Sequence, residues 1–541
     1  MTTPHESTAN EYDVIVIGGG INGAGIARDA ALRGLSVVLL DKGDLGSGTS
    51  SWSSRLIHGG LRYLEHREFG LVRESLRERE LLLRNAVHLV RPLPMLIPIY
   101  RGARRSKWMI RAGMLAYDTL SAGKSLPRHR MLSVAETLRQ APGLKPDGLQ
   151  GAALYYDAQV EFAERLVLEN ALDAQGFGAQ IVTYATVTRL LTDGGRIHGV
   201  EYTDREGRRE QVTSRVVLNV AGPWVDQLLS SAGTPRQPLI GGTKGSHLIV
   251  DPFPAAPLEA LYSEARSDGR PFFILPWNGL YLIGTTDNPF TGDLDNLAAT
   301  EPEIDYLLEE TNWVLPEAKL TRAEVRYTYA GVRPLPYEPG ETAGAMTRRH
   351  FLRQHTGELS GLISVIGGKL TTYRELAEQA VDLAYQTMGS GVRQSTTATQ
   401  RLPGAVVHDL AHFHTEFHRE HPHLPHHSRQ HLLHVYGARA LDVVRSAADH
   451  PELMEVLDPH TGAIKAEVPF AFEHELAQTL ADCLLRRTMV GLNRDAGLNV
   501  VEKAARVAQQ YLDWSGERAM REVTGYRTYV ARFHPAVDVS A

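Results

Sequence analysis

Cysteine occurs once in the 541-residue chain, as Cys483. An internal disulfide framework is therefore excluded, and the composition suits a reducing compartment. No uninterrupted apolar run is long enough to span a bilayer, and the opening "MTTPHESTANEYD" lacks the apolar stretch of a secretory signal. Positive charge is not in excess either: the formal net charge of −6 gives no general reason to expect nucleic-acid binding. No long internal repeat is present. What remains is an ordinary globular composition, 43% hydrophobic and 22% charged, in a chain too long for one core. Two or three domains are expected, in a cytosolic or surface-attached protein.

Residues 12–41, "YDVIVIGGGINGAGIARDAALRGLSVVLLD", read as strand, glycine turn, helix and second parallel strand. Val14, Ile15, Val16 and Ile17 make a β-branched run suited to burial on both faces. Gly18, Gly20 and Gly23 have the G-x-G-x-x-G spacing. The first two allow a tight turn and close approach to a pyrophosphate, and the third allows close helix–strand packing. Asp41, ending the second strand (Val37 to Leu40), is placed to accept hydrogen bonds from an adenosine ribose. The pattern implies a dinucleotide but does not separate NAD from FAD.

From about 150 to 390 strand-like segments dominate: "AQIVTYATVTRLL", "SRVVLNVAGPWVD", "GLYLIGTTD" and "LISVIGGKL". Residues 388–404, "MGSGVRQSTTATQRLPG", read as a linker. Beyond it the pattern turns helical, with Phe472, Leu476, Leu480 and Leu484 on one predicted helix face. The histidine-dense "HDLAHFHTEFHREHPHLPHHSRQHLLH" is broken by prolines and has no repeated ligand spacing. A solvated, partly helical face is expected there, without a metal site.

"LISVIGGKLTTYRELAEQA" places a strand, two glycines and Lys369 before a helix, with Thr372 and Glu375 at capping-box spacing. Amides at such a helix start favour negative charge, which a flavin gains near N1 on reduction; an ordinary capped helix reads the same way. Arg333, between Gly331 and Pro334, and Arg348 add cations whose forks match phosphate oxygens. Taken singly, each arginine also reads as a surface residue. "SSRLIHGGLRYLEH" gathers further cations and histidines around Gly59 and Gly60.

"VIGGGINGAGIARDAALRGLSVVLLD", "TSSWSSRLIHGGLRYLEH", "NVAGPWVD", "KGSHLIV", "IGTTD", "GVRPL" and "GGKLTTYRELAE" together resemble the FAD-dependent glycerol-3-phosphate dehydrogenases, relatives of the glycine and D-amino-acid oxidases. The likeness runs from residue 13 to about 380, and more loosely into a helical cap. It implies an α/β fold: a Rossmann-like FAD-binding domain (12–90, 151–235 and 350–388) interleaved with a mixed-sheet substrate domain (91–150 and 236–349), then an α-helical C-terminal domain (405–541).

By the same resemblance Gly18, Gly20, Gly23 and Asp41 would hold the ADP half of noncovalent FAD, with Asn22 also at the cofactor. Thr49, Ser50 and Ser51 would border the flavin, with Gly368 and Thr371 at its pyrimidine end. Arg62, Tyr63, Arg333, Arg348 and Lys369 would face the substrate, and His58 and His247 the reacting carbon. The implied reaction is oxidation of sn-glycerol 3-phosphate to dihydroxyacetone phosphate, with hydride transfer to flavin and electrons passed to a membrane quinone. Histidine titrates near neutrality, which favours His58 or His247 as proton acceptor. Arg333, with an ordinary pKa above ~12, is assigned with Lys369 to stabilising a developing alkoxide. An oxygen-using oxidase of the same fold, on glycerol 3-phosphate or an amino or hydroxy acid, and a non-catalytic flavin sensor are the alternatives. A homodimer is left open.

Between Glu80 and Asp118 acidic residues are missing altogether. Arg84, Arg91, Arg101, Arg104, Arg105, Lys107 and Arg111 interleave there with Met95, Leu96, Ile97, Ile99, Tyr100, Trp108, Met109 and Ile110. Such a segment suits attachment to an anionic lipid surface, here the inner face of the cytoplasmic membrane. Pro92, Pro94 and Pro98 predict loops, then a shorter helix from about 105.

Overall fold

The computed structural model describes residues 11–65, 67–231, 237–338 and 347–533. The polar segment 1–10, His66, and residues 232–236, 339–346 and 534–541 of the expected domains lie outside the described residues.

The first sheet is built on the glycine-turn strand. Glu11–Ile17 pairs in parallel with Val37–Leu40 on one side and Arg209–Asn219 on the other. Gln180–Val182 and Leu362–Ile366 extend it, again in parallel, and Phe351–Gln354 adds an antiparallel edge. Both faces of the central strand are covered, which explains its unbroken apolar run. Val14 and Val16 join a core with Ala24, Leu166 and Tyr373 of the helices Ile21–Leu32, Ala163–Gly176 and Tyr373–Thr387. Ile15 and Ile17 pack instead with Leu190 and Val200 of the hairpin Thr186–Asp193/Arg196–Thr203.

The second, mixed sheet runs Asn288–Pro289, Thr243–Val250, Leu280–Gly284, Pro271–Trp277, Ala260–Glu264, Val90–Tyr100, Leu149–Val160 and Leu56–Ile57. Val325–Arg333 pairs antiparallel to Thr243–Val250. Leu149–Val160 lies almost wholly beyond the boundary expected at 150/151, yet its ladder partner is Val90–Tyr100. The helix Glu301–Val314 covers one face through Ile304 and Leu307. On the other face Ile249, Tyr327 and Tyr329 share one core with the C-terminal helices, among them Glu467–His474, Val501–Tyr511 and Gly516–Ala531.

Four local expectations are corrected. The proline-bearing segment is a strand, not loops, and Met95, Leu96, Ile97 and Ile99 are buried in it. Pro92, Pro94 and Pro98 share one parity, so the donors they lack lie along one edge. Residues 388–404 are a pinned strap rather than a loose linker: Arg33 donates to Arg393 O at 3.0 Å, Asn85 to Ala398 O at 2.9 Å, and Arg28 to Gln400 O at 3.1 Å. The Phe472-to-Leu484 face is not one helix. Leu476 sits at φ +60°, and Glu475 turns inward to pair with Arg165 at 2.6 Å. Thr372 makes no side-chain cap, its backbone at φ −108° and ψ 13° lacking the extended conformation of an N-cap, and Glu375 pairs instead with Arg77 at 2.6 Å. Among the described residues no helix is long and apolar enough to cross a membrane.

Candidate active site

The glycine turn is fixed by packing. Gly18 has φ +111°, and a Cβ there would stand 2.6 Å from Val220 O; on Gly23 it would stand 1.8 Å from Gly18 O. A Cβ on Gly20 meets only Ser50 Oγ, at 3.3 Å. Gly20 therefore borders open space, whereas Gly23 serves helix–strand packing and does not line the cavity. Ser50 Oγ accepts from Ile21 N at 3.0 Å at the helix start, and Thr49 donates to Val332 O at 2.7 Å. Ser51, expected beside them at the cofactor, is turned away. Its hydroxyl donates to Gly46 O at 2.6 Å and is buried in the loop it braces.

Asp41 accepts from the amides of Gly19 and, at 2.8 Å, Gly43, so it shapes both turns while lining the cavity. Burial raises its pKa against the pull of these amides.

The cavity holds about 1390 Å³ and runs from Asp41 and Thr186 past the glycine turn to Arg333, Arg348 and Lys369. That volume exceeds the ~300–1,000 Å³ usual for drug-sized ligands and suits an extended dinucleotide with a substrate. Inside it Asn22 Oδ1 is buried without a hydrogen-bond partner among the described residues. Buried polar atoms are rarely left so, and FAD fits beside this acceptor, the open Gly20 and the glycine turn.

Gly367 and Gly368 carry the chain round the other end, at φ +79° and +101°. Thr371 Oγ1 accepts from His58 N at 3.2 Å, joining this loop to the opening segment. That segment's two arginines differ. Arg55 is locked on Glu164 at 2.7 and 2.8 Å in the interior, whereas Arg62 and Tyr63 lie on the turn Leu61–Leu64 and line the cavity.

Asp287 organises the cations. Its Oδ1 accepts from Arg333 Nη1 at 3.0 Å and its Oδ2 from Arg348 Nη2 at 2.9 Å, and Arg333 Nη2 also reaches Thr285 Oγ1 at 3.1 Å. Burial pushes the Asp287 carboxyl up, but the two guanidiniums outweigh it and hold the group below the usual range. Burial lowers Arg333, with Asp287 opposing and Arg348 adding. Lys369 donates to Ser75 Oγ at 2.9 Å and stands 4.6 Å over the Tyr63 ring. Burial pulls its pKa down to about 8, against Glu74 and Glu68.

The two histidines separate. His58 lines the cavity, its pKa lowered by burial and by Lys369 and Arg79, with Asp157 opposing. His247 is buried one layer back, with Nε2 2.9 Å from Ser54 Oγ and its ring stacked 4.8 Å from Tyr329. Its pKa is held well below the ordinary value, first by burial and then by Arg333 and Arg55.

Two carboxylates escaped the sequence reading. Asp287 ends the quoted "IGTTD", which was its only signal. Asp157 accepts from Tyr117 OH at 2.6 Å, Arg79 Nη1 at 2.6 Å and Gly59 N at 3.2 Å, fixing the backbone beside His58. Nothing in its neighbours marked it.

Residues 13–374 match the FAD dependent oxidoreductase family, and residues 395–519 match the C-terminal domain of alpha-glycerophosphate oxidase. A glycerol-3-phosphate dehydrogenase of Synechocystis sp. is 48% identical, with 96% of each chain covered. One of Mycobacterium leprae is 38% identical over 96% of this chain and 88% of that one. The crystal structure of the Bacillus halodurans glycerol-3-phosphate dehydrogenase complexed with FAD superposes with a TM-score of 0.79 at 29% identity, covering 99% of this chain and 98% of that one. The chain belongs to the FAD-dependent oxidoreductase family, as one of its glycerol-3-phosphate dehydrogenases.

Proposed function

We propose that the chain oxidises sn-glycerol 3-phosphate to dihydroxyacetone phosphate. The observation that carries this reading is the Asp287 clamp, which holds Arg333 and Arg348 side by side in the cavity that Lys369 also lines. Arginine forks recognise phosphate oxygens by paired hydrogen bonds, so Arg348 and Arg62 bind the phosphate with Tyr63. Arg333 and Lys369 stabilise the alkoxide as the C2 hydroxyl loses its proton. His58 supports the role of proton acceptor better than His247 because it lines the cavity while His247 lies one layer back; burial favours the neutral form of both. FAD, when bound, supplies the two-electron acceptor. Steady-state comparison of the phosphate ester with glycerol tests this. Glycerol should be much the poorer substrate, and equal kcat/KM for the two overturns the phosphate clamp.

Lys369 gives the reaction an alkaline limit. Its charged form is the useful one, and with a pKa of about 8 it loses the proton as pH rises through that value. The expected kcat/KM falls roughly tenfold per unit above the limit, and Lys369→Arg should move the limb beyond reach. A level profile from pH 7 to 9.5 removes Lys369 from this role.

We also propose attachment to an anionic membrane surface, with a quinone as acceptor; the helix Lys107–Leu120 supports the attachment. Trp108 is 74% exposed and Leu115, seven residues on, 55%. Arg111 lies over the Trp108 ring at 5.7 Å, with Arg104 and Lys107 exposed nearby. Arg105 is not part of this surface, being paired with Glu65 and Glu264. Cosedimentation with vesicles containing anionic lipid should weaken as salt rises. It should weaken again when Arg104, Lys107 and Arg111 become glutamates. Absence of binding at low salt, with quinone reduction unchanged in the triple variant, removes the helix from the reading.

A further inference from the structure

The C-terminal helical domain reaches the glycine turn. The turn Cys483–Arg487 sends Arg487 to both oxygens of Asp44, at 2.7 Å each. Asp44 belongs to the loop whose Gly46 N donates to Gly19 O at 2.9 Å. Arg486 donates through Nε to Asp44 and through Nη2 to Asp482 at 2.8 Å. Its Nη1 is buried without a hydrogen-bond partner among the described residues, on a side chain 4% exposed that borders the cavity.

A second such donor comes from the end of the last helix. Arg532 stacks 4.0 Å from the Tyr529 ring and 5.9 Å from the Trp52 ring, and its Nε is likewise buried and unpartnered among the described residues. Phe533 anchors this end. Its carbonyl accepts from Thr328 N at 2.5 Å, on the strand that carries Arg333, and its ring packs 5.0 Å from Trp52.

A buried guanidinium N–H without an acceptor is costly, and two of them on one cavity wall call for the same kind of partner. We propose that the C-terminal domain is a wall of the cofactor site, with Arg486 and Arg532 donating to the diphosphate oxygens of FAD. The diphosphate is favoured over the ring ends because Asp44, which positions Arg486, is tied through its loop to Gly19. Among the described residues Arg486 and Arg487 are balanced by Asp44 and Asp482, while no carboxylate pairs with Arg532. This inference rests on the FAD reading of the cavity.

The test uses the full chain stripped of flavin and titrated with FAD, with ADP as competitor and riboflavin as the ligand lacking a diphosphate. Arg532→Gln and Arg486→Lys are compared with the parent, and melting curves of the flavin-free proteins report folding. Arg532 stacks on rings, so it decides the matter should Arg486→Lys fail to fold. Each variant is expected to weaken FAD and ADP about tenfold or more, the worth of a charged hydrogen bond, while riboflavin changes little. FAD affinity within twofold of the parent, or equal losses for FAD and riboflavin, overturns the proposal. A parent chain that fails to bind FAD overturns the cofactor reading instead.

Discussion

Arg348→Ala is expected to lower kcat/KM for glycerol 3-phosphate by on the order of 30-fold to several thousand-fold, the equivalent of about 2–5 kcal/mol for a buried charged contact. Two consequences follow from the geometry. Arg348 is held by Asp287 Oδ2 while Arg333 takes Oδ1 at 3.0 Å, so removing Arg348 leaves Arg333 in place with its Thr285 contact. The damage should therefore fall mainly on KM, because phosphate binding is lost while the hydride-transfer end keeps Arg333 and Lys369. Arg333→Ala should depress kcat as well, since that side chain is assigned to the reacting oxygen. Rate measurements over a substrate series separate the two. A change of less than threefold in kcat/KM for both variants contradicts the clamp.

Substitutions in the glycine turn should divide into two outcomes. Gly23→Val places a branched side chain where even a Cβ lies 1.8 Å from Gly18 O, inside the turn itself. Overpacking of a rigid core commonly costs about 1–3 kcal/mol, and a backbone collision of this size costs more. The stability of a whole domain is only about 5–15 kcal/mol, so unfolded or insoluble protein is expected. Gly20→Val meets only Ser50 Oγ at 3.3 Å and otherwise extends into the cavity. That variant should fold, keep its circular dichroism spectrum and lose its yellow colour. Yellow Gly20→Val with full flavin content contradicts the placement of the cofactor over the turn.

The glycine spacing and the strands around it were legible because their signals are local. Val14 to Ile17 and Val37 to Leu40 read as buried strands from side-chain type alone, and they pair in register as Val14↔Val37 and Ile17↔Leu40. What escaped depends on partners far along the chain. Arg55 and Arg62 look alike within one segment until Glu164, 109 residues beyond Arg55, claims the first. The Thr372–Glu375 spacing was sound, but Thr372 lacks the extended backbone of an N-cap and Glu375 pairs with Arg77, 298 residues away. The strap after Met388 has a loose composition, and Arg28, Arg33 and Asn85 hold its backbone carbonyls. Asp287 is the plainest case. A single carboxylate at the end of "IGTTD" gains its role only when the sheet brings Arg333 beside it and Arg348 closes from the next segment.

Anaerobic addition of glycerol 3-phosphate to the flavin-loaded protein, followed at the oxidised flavin band near ~450 nm, bears most directly on the assignment. The band should bleach with glycerol 3-phosphate, stay unchanged with glycerol, and return when a quinone is added. A protein that holds FAD and keeps its full absorbance in the presence of glycerol 3-phosphate contradicts it.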